Sequence, residues 1–428
     1  MAQTVGHTGI AVVSVLLIIG LFVAAFVGFN IGGSSTGVAF GPAVGSRLVR
    51  KFTAAVLFSA FAFLGAWTVG RNVIVTMSEG IVPATQFTPV AGVGVLFFTG
   101  LSLLVSNLYG VPASTSMTAV GAIVGLGLAT DSLNAALMFT IVSAWIVAPL
   151  IGLAIGAVIG RYLYPQLEAR MSFTRLQRQL IQIDRTGGLP RLRFNENASL
   201  RDIVGSALVL AIACYMGFSA GASNAANAVA PLVGNGALDV DQGVLLAVAA
   251  ISLGGFTIAR RTLATVGDGI TDLPILAALI VSTVGATIIT ILSFYGIPAS
   301  LAVSTTCCII GLGWGRASRA ATLAELATPK PAGEPRPNHP TGALATQAKE
   351  EGAAAGPTVG ELATGEGPGP DEQPDEAPPI PEIGEEDMEE LTAEALFDPA
   401  ATTRIVALWI LTPSLSVAGS YLLFAFLL

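Results

Sequence analysis

Residues 217–234 read GFSAGASNAANAVAPLVG, and residues 28–45 read GFNIGGSSTGVAFGPAVG. The two align without a gap at a constant offset of 189: Gly28 on Gly217, Phe29 on Phe218, Gly32 on Gly221, Ser34 on Ser223, Pro42 on Pro231. Each run of small polar residues lies beside segments apolar enough to cross a membrane. The same offset carries Thr68 onto Thr257, Arg71 onto Arg260 and Glu79 onto Asp268. A second pair, YGVPASTSMTAVGAIVGLG from Tyr109 and YGIPASLAVSTTCCIIGLG from Tyr295, repeats at an offset of 186. The chain is therefore a duplication, each half carrying two motifs in the same order.

Composition supplies the solvent. The 428 residues are 53% hydrophobic and 11% charged, with a mean hydropathy of +0.74, whereas a soluble domain is about a quarter charged. Several uncharged stretches reach the ~20 residues that a helix needs to cross hydrocarbon. The expected fold is an all-α polytopic membrane protein of about ten spans, near 9–30, 50–70, 88–108, 115–131, 134–163, 200–219, 241–260, 271–294, 300–317 and 403–427. The polar stretches 30–46 and 219–236 read as two further broken or re-entrant segments. About five spans separate equivalent positions, and an odd number inverts the second copy. Inverted repeats typify secondary transporters, whose substrate sits near the midplane between the copies.

The expected organisation is a first membrane repeat at 1–163, a basic loop at 164–199, an inverted repeat at 200–319, an acidic loop at 320–400 and a final helix at 401–428. The basic loop holds Arg170, Arg175, Arg178, Arg185, Arg191 and Arg193, which makes it cytoplasmic by the positive-inside rule. Counting outward puts both termini outside; Arg71, also outside, runs against the rule. The first apolar segment lacks a basic n-region and reads as a retained helix rather than a cleaved leader. Seventeen of the 28 acidic residues lie between Glu334 and Asp398, in a Pro/Gly/Glu-rich stretch with too little apolar surface to offset its ordering entropy. It reads as a disordered cytoplasmic loop. Cys214, Cys307 and Cys308 read as small hydrophobes, and His7 and His339 lack metal-ligand companions.

Irregular backbone at membrane depth survives only where protein buries it or it lines a wet cavity. A freed helix N-terminus there suits an oxyanion. Ser34, Ser35, Thr36, Ser114, Thr115 and Ser116 can donate to anion oxygens, and their oxygens can also hold Na⁺. Glu79 and Asp268, at matching places, are candidates for a coupling ion or proton. Small residues also pack helix on helix in membranes, and that reading stands beside the binding one. Thr68 and Thr257 are expected to bond back to their own helices, and Gly121, Gly125 and Gly127 to form a packing face.

At these motifs the chain resembles the inorganic phosphate transporter family, the sodium- or proton-coupled phosphate symporters. That family carries G-A-N-D-x-A-N and G-x-P-x-S-T-T-H in each half. Here the copies read GGSSTGV, GASNAAN, GVPASTSM and GIPASLAV. The resemblance implies a phosphate site between the repeats, flanked by cation sites. By position it involves Ser34, Ser35 and Val38, then Ser223, Asn224 and Asn227, then Ser114, Thr115 and Ser116, then Ser300. Ser35, Asn224 and Asn227 are also coupling-ion candidates. Both motif aspartates are missing, with Ser35 and Asn224 in their places. Met117 and Val303 replace the histidines, and Leu301 and Ala302 replace one hydroxyl pair. The expected function is cation-coupled phosphate transport, with Na⁺ or H⁺ as coupling ion and no other cofactor. Sulfate or another tetrahedral oxyanion is the alternative substrate. A non-transporting sensor or partner-binding protein is the alternative of another class, and no enzyme signature stands out. The expected partners are the anion and the bilayer, with a homodimer left open and no nucleic acid.

Overall fold

Away from water, only a helix satisfies every backbone N–H and C=O within its own segment, and the apolar stretches fold accordingly. The computed structural model describes residues 2–46, 48–108, 114–170, 181–184, 191–194, 200–257, 275–327 and 399–427. Helix α1 spans Ala2–Gly45. Helices α2 (Lys51–Gly65) and α3 (Arg71–Val75) run on through π-helical turns at Ala66–Gly70 and Thr76–Gly80. Next come α4 (Pro89–Leu108), α5 (Thr115–Ala129), α6 (Ala135–Val158) and α7 (Tyr164–Arg170). The second half holds α8 (Leu200–Gly234), α9 (Val240–Thr257), α10 (Ile275–Phe294), α11 (Leu301–Ala327) and α12 (Pro399–Leu427). Among the described residues, seven helices are long and apolar enough to cross a membrane, and Pro89–Val105 and Thr115–Ala129 are shorter apolar helices. Large apolar side chains such as Phe22, Phe139 and Phe426 point outward, as a lipid-facing surface requires.

The interruptions are not where the polar stretches suggested. Residues 30–45 and 219–234 are unbroken helix, the ends of α1 and α8, with Pro42 and Pro231 inside them. In α1 the hydroxyls bond their own helix: Ser34 Oγ donates to Ile31 O at 3.1 Å and Thr36 Oγ1 to Gly32 O at 2.8 Å. The glycines allow helices to cross closely instead of breaking them. Helix α4 ends at Leu108 and α5 starts at Thr115, and the chain turns at Gly296 between α10 and α11. In the second hairpin Leu276, Ala277 and Val281 pack on Cys308 and Leu312, and Gly285 meets Thr305, so its arms are antiparallel. Helix α5, at 15 residues, rises only ~22 Å, short of the ~30 Å core.

The duplication governs the architecture. At an offset of 189 the end of α1 falls on the end of α8 and the start of α2 on the start of α9. At 186, α4 falls on α10 at both ends, and α5 and α11 start together. Tertiary contacts obey the same relation. A Cβ at Gly32 would strike Ile251 O, and one at Gly221, the equivalent of Gly32, would strike the equivalent carbonyl, Ala62 O. Gly65 against Phe218 O is mirrored by Gly254 against Phe29 O. Such reciprocity is the signature of a two-fold axis. Each half is also completed by the other: α1 packs on α9 and α8 on α2.

The last helix joins this exchange. Gly125 of α5 packs on Val417 O, and its counterpart Gly311 packs on Leu153 O. Val417 and Leu153 thus correspond, as do Pro413 and Pro149, at an offset of 264. Helix α12 is therefore the second half's version of α6, and each lies against the other half's hairpin. Gly121 and Gly125 form the expected packing face, and Thr68 and Thr257 bond back to Leu64 O and Leu253 O.

Outside the helices, Ile181–Asp184 pairs antiparallel with Arg191–Phe194, a small departure from an all-α chain within the basic loop. The acidic segment lies outside the described residues over 328–398, and α11 continues to Ala327. Arg71, the arginine that ran against the charge rule, bonds Asp241 at 2.5 Å. The three cysteines are free.

Candidate functional site

Asn224 and Asn227, one helical turn apart on α8, face the N-terminus of α5. Thr115 Oγ1 donates to Asn224 Oδ1 at 2.7 Å. Asn227 Nδ2 lies 3.3 Å from Thr115 Oγ1, 3.2 Å from Ser116 Oγ and 3.2 Å from Asn224 Oδ1. Since Asn224 Oδ1 can only accept, this contact orients the Asn227 amide. The second hairpin enters through its backbone: Ala299 O accepts from Ser116 Oγ at 3.0 Å and from Ser223 Oγ at 3.4 Å. Asn224 Nδ2 donates to Ser35 Oγ at 3.4 Å. Ser35 and Asn224 are equivalent under the repeat, so the pseudo-two-fold axis passes through the cluster. In an inverted repeat that axis lies at the midplane. The start of α5 and the turn of the second hairpin, at 296–300, thus reach mid-depth, which makes the second hairpin a re-entrant element.

Most donors in the cluster are spent on one another. Two buried atoms of the cluster, Ser114 Oγ and Asn227 Oδ1, find no hydrogen-bond partner among the described residues. Ser114 is the N-cap of α5, yet its side chain makes no capping bond. The first-turn N–H groups of a helix need partners, and a buried, uncapped N-terminus attracts an anion. Ser300, the counterpart of Ser114, instead accepts from Val303 N of its own helix at 3.4 Å. The site is thus lopsided. Hairpin one and α8 offer unspent polar groups, whereas the matching positions on α1 and hairpin two hold Val38, Leu301 and Ala302.

Of the residues singled out from sequence, Ser35, Thr115, Ser116, Ser223, Asn224 and Asn227 converge, with Ser114 and Ser300 at the hairpin turns. Ser34 is half-buried and bonds its own helix. Thr36 is fully buried, bonds Gly32 O and faces Gly255 at the crossing with α9. Glu79 is exposed in the π-helical turn Thr76–Gly80, which takes it out of the buried cluster, and Asp268 lies outside the described residues. The named cluster side chains are all neutral. Sequence reasoning missed Ala299, because a carbonyl contributes whatever its side chain is.

The model of the phosphate transporter family matches residues 31–330, a stretch that takes in both hairpins and most of the first duplicated motif. The chain is 33% identical to the sulfate permease CysP of Bacillus subtilis, over 68% of this chain and 75% of that one. It is 25% identical to a putative phosphate permease of Haemophilus influenzae, over 70% of this chain and 87% of that one. A solved structure described as the sodium-dependent phosphate transporter shares the fold, with a TM-score of 0.64 and 18% identity over 96% of this chain and 99% of that one. The chain belongs to the phosphate transporter family.

Proposed function

We propose that this protein is a secondary transporter that carries inorganic phosphate across the cell membrane by alternating access between its halves. The observation that carries the reading is the buried, uncapped N-terminus of α5, beside Asn224 and Asn227 on the pseudo-two-fold axis. Its first-turn N–H groups, which receive no side-chain cap, suit an oxyanion. The unpaired acceptor Asn227 Oδ1 suits an anion that still carries a proton, which phosphate does at neutral pH and sulfate does not. Ser114, Thr115, Ser116, Ser223, Asn224 and Asn227 are the proposed substrate shell. Coupling is proposed to Na⁺ or H⁺; a cation here would be held by neutral oxygens such as those of Ser35 and Asn227. The basic loop is proposed to face the cytoplasm. Arg161, Arg316 and Arg319 cluster at one end of the bundle, through Ser318 Oγ, Arg161 O and the Tyr164 ring, in keeping with a positive inner face.

Sulfate is the second reading. The relative named a sulfate permease and the lack of a carboxylate among the named cluster residues favour it. Proteoliposomes loaded with labelled phosphate medium, competed with sulfate and with Na⁺ exchanged for K⁺, separate the two. Saturable phosphate uptake, weakly inhibited by sulfate, is the expected result. Uptake of sulfate alone would replace the substrate, and uptake of neither anion would remove the transport reading.

A further inference from the structure

We propose that Trp145 is a positioning residue that clamps the turn of the second hairpin over the anion site, one of a duplicated pair of such clamps. The proposal rests on the transport reading for its consequence but not for its geometry. Trp145 Nε1 donates to Pro298 O at 2.7 Å. The next carbonyl along, Ala299 O, is the one that receives Ser116 and Ser223. One peptide unit thus separates the indole from the site. Backbone bonds from Gly296 N to Ser293 O and from Ile297 N to Leu292 O, both at 2.9 Å, hold the N-terminal side of the turn, but Pro298 has no N–H to give. The same side is tied by Asn72 Nδ2 donating to Phe294 O at 2.7 Å.

The sequence carries the same device twice. Residues 145–149 read WIVAP and residues 409–413 read WILTP, at the 264 offset that pairs α6 with α12. In both, the proline four residues on cannot donate to the tryptophan's carbonyl, so the helix is loosened just where the indole projects. The surroundings match as well. Gly152 and Gly156 of α6 pack on Ser304 O and Cys308 O; their counterparts Ser416 and Ser420 of α12 donate to the equivalent carbonyls, Thr118 O and Ala122 O, at 2.9 and 2.6 Å. Each tryptophan therefore rides on a helix borrowed from the other half, so movement of one half is passed to the other half's turn.

Hydrogen–deuterium exchange of the full-length protein in detergent tests this with Trp145→Phe, which keeps a ring and removes the donor. Exchange at 297–304 should quicken at least several-fold and return toward wild type in Trp145→His, which keeps a ring N–H. Half-saturating phosphate should rise about two- to tenfold, the loss of one hydrogen bond, with maximal rate changing less. Trp409→Phe should act instead on residues 114–118, and Trp314→Phe, on the lipid-facing surface, should change nothing. Unaltered exchange at 297–304, or exchange that quickens evenly along the chain, would overturn the clamp. A wild type that moves neither phosphate nor sulfate sinks the transport reading alone, since local quickening in Trp145→Phe would still uphold the clamp.

Discussion

Asn227→Val is the substitution that separates the two substrate readings. Position 227 corresponds to Val38 in the first half, so the fold already accommodates valine at this place on the axis. The change removes two kinds of interaction. The amide's two hydrogens serve Thr115, Ser116 and Asn224 at 3.2–3.3 Å; their loss loosens the α5 N-terminus and weakens any anion alike. The unpaired Oδ1, which can only accept, is left for a proton on the anion, beside the unpaired Ser114 hydroxyl. Its loss costs phosphate one further hydrogen bond, about 0.5–1.5 kcal/mol, and costs sulfate nothing. The ratio of phosphate to sulfate affinity should therefore fall about two- to tenfold, on top of a loss common to both. Folding should suffer little, because an unsatisfied buried acceptor is exchanged for apolar surface. Competition uptake of the two labelled anions in proteoliposomes, with thermal unfolding as a control, reads both quantities. Equal losses for the two anions would refute the role given to Oδ1, and equal losses with altered Na⁺ dependence would assign that oxygen to the cation. Unchanged affinities in a folded protein would move the site elsewhere.

Three further outcomes are expected. Asn224→Asp puts a negative charge on the axis, 2.7 Å from Thr115 Oγ1; phosphate uptake should become more Na⁺-dependent, and uptake indifferent to Na⁺ would count against a cation at this position. Gly32→Ala and Gly221→Ala each drive a Cβ into a backbone carbonyl, of Ile251 and Ala62. Overpacking of this kind costs roughly 1–3 kcal/mol, so both should lower the unfolding temperature in detergent, and a large difference between them would contradict the symmetry. Thr36→Val should leave half-saturation for phosphate unchanged, because Thr36 bonds its own helix and faces Gly255; a rise of tenfold would return it to the site.

How much was legible in the chain differs from residue to residue. The duplication was, because Gly28, Phe29 and Pro42 recur at one offset and glycine and proline mark backbone geometry directly. The convergence of Asn224 with Thr115 followed from motifs repeated in order. The role of Thr36 was not legible, since a hydroxyl has the same appearance in sequence whether it serves a ligand or the carbonyl four residues back. The tryptophan pair was hidden by length: the acidic segment between α11 and α12 stretches the last offset to 264 and breaks the register of 186–189 that reveals the other repeats.

The sequence by itself determined that the chain is helical, membrane-bound and twofold, since apolar length and periodic recurrence are local properties. Only the tertiary structure decided that the polar stretches are continuous helix, that the chain turns between α10 and α11 beside the polar cluster, and that α12 completes the pattern begun by α6. Those outcomes depend on which helix each glycine can approach and on where each hydroxyl finds its acceptor. A glycine such as Gly221 permits either a break or a close crossing, and the choice falls to Ala62, which lies against it only once the two halves have exchanged helices.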